Sequence, residues 1–117
     1  MNCFSLLTIR LRDMLTNTEI ETIVERIVAR MQPQKVIIFG SYAKGTATIK
    51  SDLDIFIIKE TELPPANRAV TLMPLLANLL IRVDVHVYTP EEVEAYGEEP
   101  FSFVSTVLSS GKTLFEQ

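Results

Sequence analysis

The chain is poor in several things, and each shortage narrows what it can be. Cysteine occurs once, at Cys3, so no intramolecular disulfide is possible, which fits a reducing, cytoplasmic setting. Basic charge is in deficit, with 11 Lys+Arg against 15 Asp+Glu and a formal net charge of −4. Nonspecific nucleic-acid binders carry a basic field, so direct nucleic-acid binding is not expected. No apolar run approaches the roughly 18 residues of a membrane span. The opening stretch MNCFSLLTIRLRDML lacks a basic region ahead of an apolar core, and Arg10, Arg12 and Asp13 interrupt it, so no signal peptide is expected. Internal repeats and low-complexity segments are also missing.

What remains is an ordinary globular composition. The 117 residues are 47% hydrophobic and 22% charged, enough for one domain spanning 1–117 with one real core, residues 1–16 being a possible N-terminal extension. Ile20, Ile23, Val24, Ile27, Val28 and Met31 recur on one face at helical period, between solvated Glu21, Glu25, Arg26 and Arg30. Thr18 and Glu21 have capping-box spacing, so a helix is expected over about 19–31, ended by Pro33. Val36–Phe39 and Leu53–Ile58 are apolar runs that suit buried strands. Residues 66–80 carry a leucine stripe at helical spacing. Pro74 lies within it, either kinking that helix or opening a shorter one. Val83, Val85 and Val87 alternate with Asp84 and His86, which predicts a third strand. Thr89-Pro90-Glu91-Glu92 predicts a helix start, residues 101–109 a last helix, and Lys112–Phe115 a closing edge strand. Helices alternating with strands make the fold class α/β, a small mixed β-sheet flanked by helices.

One segment stands out: Gly40-Ser41-Tyr42-Ala43-Lys44-Gly45, then five residues, then Ser51-Asp52-Leu53-Asp54. Gly40 closes a buried strand and, lacking Cβ, permits a close approach. Ser41 is placed to cap a short helix over 42–45, whose first N–H groups would favour an anion. Lys44 adds a point charge suited to phosphate, and Ser51 caps the turn that presents Asp52. Asp52 and Asp54 share a strand face about 6.6 Å apart along the chain. Two carboxylates that close repel unless a cation lies between them, and Mg²⁺ is often held by carboxylates together with substrate phosphates. Asp84, opposite in direction to its flanking valines, is a third candidate if its strand neighbours theirs; three carboxylates suit two metal ions in an in-line phosphoryl displacement. His86 shares the face of Asp84. Asp52 taken alone would read as a turn cap, and it is the neighbouring Gly-Ser element that favours the metal reading.

Gly40-Ser41-x-x-x-Gly45 followed by Ser51-Asp52-x-Asp54 resembles the signature of the DNA polymerase β-like nucleotidyltransferase superfamily. Length and element order resemble its minimal members, the MNT domains, over about residues 19–117. Six fixed positions at about 7% each match by chance at a frequency of about 10⁻⁷ per window. The resemblance implies that Asp52, Asp54 and Asp84 hold Mg²⁺, two ions being expected. It also implies that Asp84 helps activate an acceptor hydroxyl, and that Gly40 and Ser41 hold the phosphates of ATP. Many minimal members carry Arg where Tyr42 and Lys44 stand here; charge persists at Lys44, whereas bidentate phosphate binding does not.

The resemblance implies more about partners. MNT domains often accompany a HEPN-domain toxin and act as its antitoxin, in characterised pairs by transferring AMP from ATP to a tyrosine of the HEPN protein. The expected activity is thus a Mg²⁺-dependent nucleotidyltransferase, an adenylyltransferase. Two alternatives stand beside it: a binding module that neutralises a HEPN partner without catalysis, and a metal-dependent phosphohydrolase.

Overall fold

The computed structural model describes residues 14–79 and 81–117. Most of the possible N-terminal extension therefore lies outside the described residues. Helix α1 (Asn17–Met31) begins earlier than the Thr18–Glu21 spacing predicts. Thr16 is its N-cap: the Glu19 N–H donates to Thr16 Oγ1 at 3.1 Å and the Thr16 N–H donates to Glu19 Oε1 at 2.8 Å. Both Thr-x-x-Glu pairs have the right spacing, and the earlier one adds half a turn while burying the same Ile20, Ile23, Val24, Ile27 and Met31. The helix stops at Gln32, which turns left-handed ahead of Pro33.

Strand β1 (Lys35–Phe39) leads through Gly40 into the single turn α2 (Ser41–Lys44), and β2 (Leu53–Ile58) follows. Gly40, rather than Ser41, is the N-cap of α2, and no side chain caps the turn. Its φ of 73° and ψ of −154° place Gly40 where only glycine is at ease. Ser41 is therefore the first helical residue, which corrects its expected capping role.

The crossover to the next strand takes the second of the two expected forms, a shorter helix with Pro74 in its first turn. In place of one helix over 66–80 it holds two 3₁₀ turns, Pro65–Asn67 and Val70–Leu72, and the short α3 (Met73–Leu76). Pro74 lacks the N–H that a helix continuing from residue 70 would need, so it sits in the first turn of α3 instead. Leu72 and Leu75 still turn inward. Arg68 pins this crossover down. It donates to Leu63 O at 2.9 Å and to Val87 O at 3.2 Å, and grips Glu92 with an Nη1–Oε1 distance of 2.6 Å.

Strand β3 (Val83–Tyr88), helix α4 (Pro90–Gly97), helix α5 (Phe103–Ser110) and strand β4 (Lys112–Glu116) complete the chain. Helix α4 starts at the predicted Thr89–Glu92 capping box. Helix α5 starts two residues later than predicted, because Phe101 is left-handed (φ 65°) and Ser102 caps the helix instead.

The strands lie in the order β3-β2-β1-β4, with β2 and β3 parallel and the other pairs antiparallel. Alternation along each strand divides the core. On one face Val36, Ile38, Leu53, Ile55 and Ile57 pack with α1 and α3, joined by Val83, Val85 and Val87. On the other, Ile37, Phe56 and Ile58 pack with Val104 and Val107 of α5 and Val93 of α4. This is the expected small mixed sheet flanked by helices. Among the described residues, no helix is long and apolar enough to cross a membrane.

Candidate active site

The register of the sheet decides where the acidic residues meet. Asp54 stands opposite Phe39 of β1 on one side and opposite Asp84 of β3 on the other. Paired residues in a sheet point the same way, so Phe39, Asp54 and Asp84 form a row on one face. This is the face of Ile37, Phe56 and Ile58, at the end of the sheet where β1 stops and where β2 and β3 begin. Asp52, two residues before Asp54, lies beyond the first residue of β2. The valines of β3 fill the opposite face, as their alternation with Asp84 predicts.

The carboxylates act on one another. Burial raises the proton affinity of Asp54 above the ordinary carboxylate value of 3.8, and the negative charges of Asp84 and then Asp52 raise it further. His86 and Arg82 pull in the other direction. Arg82 escaped the reading of the sequence. Its Nε lies 3.2 Å from Asp84 Oδ1 and 3.9 Å from Asp52 Oδ2, so its guanidinium bridges the acid on β3 and the one just ahead of β2. The signal was available in the alternation: Arg82, Asp84 and His86 are two apart and share a parity.

Gly40 forms the floor beneath Asp54. A Cβ at position 40 would collide with Asp54 Oδ2 and sit 3.3 Å from its Cγ. The missing side chain is thus the space the carboxylate occupies. Ser41 is half-buried beside it, and Lys44 is exposed. Ser51 holds the turn before Asp52, as predicted: its Oγ accepts from the Thr48 N–H at 2.8 Å and its own N–H donates to Thr48 O at 3.0 Å. Tyr42 faces elsewhere. It packs against the α1 core, and its hydroxyl accepts from the Leu15 N–H at 3.1 Å.

An aromatic group borders the acids. The His86 ring lies 5.7 Å from Phe39 and 5.0 Å from Phe103, which α5 brings over the sheet. Beyond it, a groove of about 490 Å³ runs along β3, lined among others by Arg68, His86, Tyr88, Glu92 and Tyr96. Phe103 was not anticipated as a neighbour, because nothing local in the sequence tells which strand a helix will cover.

The donor set fits a hard divalent cation in chemistry: three carboxylates, mutually repelling, already drawing a guanidinium between two of them. The positions are not preset. Among the described residues, no group of three or more His, Cys, Asp or Glu side chains is arranged to hold a metal ion as it stands.

Comparison with known proteins gives the family and the fold. The sequence pattern described as the nucleotidyltransferase domain matches residues 19–112. The chain is 31% identical over 84 residues to the Putative protein adenylyltransferase MJ0604 of Methanocaldococcus jannaschii, covering 70% of this chain and 78% of that protein. Among solved structures, a toxin–antitoxin complex with AMP-PNP superposes with a TM-score of 0.60 at 24% identity, covering 83% of this chain and 73% of that one. A mutant form of the toxin–antitoxin MntA-HpeT gives a TM-score of 0.53 at 20% identity, covering 88% of this chain and 75% of that one. These structures share the fold, while the domain pattern and the archaeal relative carry the kinship: this chain belongs to the nucleotidyltransferase domain family.

Proposed function

We propose that the chain transfers an adenylyl group from ATP to a hydroxyl of a partner protein, a tyrosine of a HEPN toxin that it thereby neutralises. The observation that carries this reading is the pairing of Asp54 with Asp84 across β2 and β3, over a glycine whose bareness accommodates Asp54. The kinship with an adenylyltransferase, and the fold shared with toxin–antitoxin structures, support the choice of AMP and of a toxin partner.

Asp52, Asp54 and Asp84 would hold Mg²⁺, two ions in the full site. Mg²⁺ supplies charge neutralisation on the triphosphate and on the oxygens that gain charge during displacement. The chain's own residues do the rest. Gly40 and Ser41 would present backbone to the phosphates, and the exposed Lys44 would add positive charge. Ser51 fixes the turn from which Asp52 projects. The acceptor oxygen attacks the α-phosphorus, the bond to the bridging oxygen of the β-phosphate breaks, and pyrophosphate departs. Asp84 lies on the strand farthest from the Gly-Ser turn, so it faces an acceptor arriving opposite the departing pyrophosphate, and it takes the hydroxyl proton. The groove beside β3 gives that acceptor room.

The test is incubation of the chain with labelled ATP, Mg²⁺ and its HEPN neighbour. Label should appear on the partner, and Asp54→Asn should abolish it. An unlabelled partner, with wild type and Asp54→Asn alike, would refute transfer. ATP consumed without any acceptor would point to a phosphohydrolase. The exposed apolar side chains Leu63, Val70 and Met73 favour a second reading, in which the chain neutralises the partner by binding alone. Neutralisation that survives Asp54→Asn would support that reading.

A further inference from the structure

Arg82 has a position that the transfer chemistry leaves unexplained. Its backbone is fixed, since Arg82 O accepts from the Leu53 N–H at 3.0 Å at the point where β3 joins β2. Its side chain is 73% exposed. Yet its Nε is aimed between Asp84 and Asp52, at 3.2 Å and 3.9 Å, on the side where the acids converge. A guanidinium there satisfies the charge that a divalent ion would satisfy, and the two cations repel each other. An exposed ion pair is weak and salt-screened, so the arrangement is easily exchanged.

We infer that Arg82 is a resident counter-cation of the carboxylate site, one that a divalent ion must displace in order to bind. This rests on the reading of Asp52, Asp54 and Asp84 as metal-binding groups. Arg82 is on this account a positioning residue: it holds Asp52 beside Asp84 without metal, and it makes binding of metal alone unfavourable. Once displaced, the side chain has a new partner only where another anion is present. Metal loading is therefore poor for the bare ion and better when triphosphate arrives with it.

The test is direct titration of the full chain with Mn²⁺, without nucleotide, followed by electron paramagnetic resonance of the free ion. Arg82→Gln should bind Mn²⁺ about two- to fivefold more tightly than wild type, the size expected for removing an exposed cation beside the site. Arg82→Lys, which keeps the charge, should stay close to wild type. The gap between Arg82→Gln and wild type should shrink at high salt. Equal or weaker binding by Arg82→Gln, with Asp54→Asn abolishing binding, overturns the role of Arg82 and leaves the metal site standing. No Mn²⁺ binding in either protein that Asp54→Asn removes would overturn the metal site and the counter-cation together.

Discussion

Replacing Gly40 by alanine separates two effects that a single side chain would otherwise confound. The backbone at Gly40 (φ 73°, ψ −154°) lies in a region that costs other residues about 1–3 kcal/mol. That cost falls on stability. The added methyl also meets Asp54 Oδ2, the far end of a short side chain at the site's edge, which can rotate away at little cost to the fold. That displacement falls on chemistry, because it moves the oxygen on which the site depends. A shift of about 1 Å in a reacting group typically costs on the order of 100-fold in rate. Gly40→Ala should therefore lose about 1–3 kcal/mol in urea unfolding, and roughly 100-fold in AMP transfer under conditions where it is folded. In the Asp54→Ala background, where the methyl has no carboxylate to strike, the same stability loss should remain, so the two substitutions should be additive in urea unfolding. A Gly40→Ala protein with wild-type stability and wild-type transfer would refute both halves of the argument.

Three further outcomes are expected. Because Asp54 is harder to ionise in the fold than in the open chain, its charge opposes folding as pH rises above the ordinary 3.8; Asp54→Asn should raise the urea midpoint at pH 7 in EDTA, and the gain should vanish below that value. Glu92 has the opposite sign, its carboxyl held below the ordinary 4.5 chiefly by the Arg68 hydrogen bond and then by the Thr89 backbone. Its stabilisation is full above that value and is lost as pH falls through its lowered folded value. Glu92→Gln, which can still cap α4, should cost about 1 kcal/mol at pH 7 and progressively less in acid by the same unfolding assay. Phe101, left-handed and 98% exposed, strains the backbone without burying its ring; Phe101→Gly should gain about 0.5–1 kcal/mol in thermal or urea unfolding.

The sequence was legible where a single local pattern had one answer. The apolar runs at β1 and β2 and the valine alternation of β3 place those strands closely, and the same alternation puts Asp84 on the face of Asp54 once the strands pair. Where two local answers competed, the choice was hidden. Thr16 and Thr18 both precede a glutamate by three residues, and only the longer helix selects the first. The 66–80 stripe has helical spacing, but Pro74 removes the N–H that a continuous helix requires there. Arg82 and Phe103 were missed as neighbours of the acids for a different reason: their places depend on which strand and helix come together, a tertiary fact that no window of sequence contains.

The route between β2 and β3 has a consequence of its own. It leaves the sheet as 3₁₀ turns, tied back by Arg68 and by buried Leu72 and Leu75, while the register of Asp54 and Asp84 is set by strand pairing. Extra or missing residues in that detour would reshape the outer wall without shifting the acids. Such a molecule is free to be retuned for new clients by lengthening or recutting one segment, its chemistry travelling along unaltered.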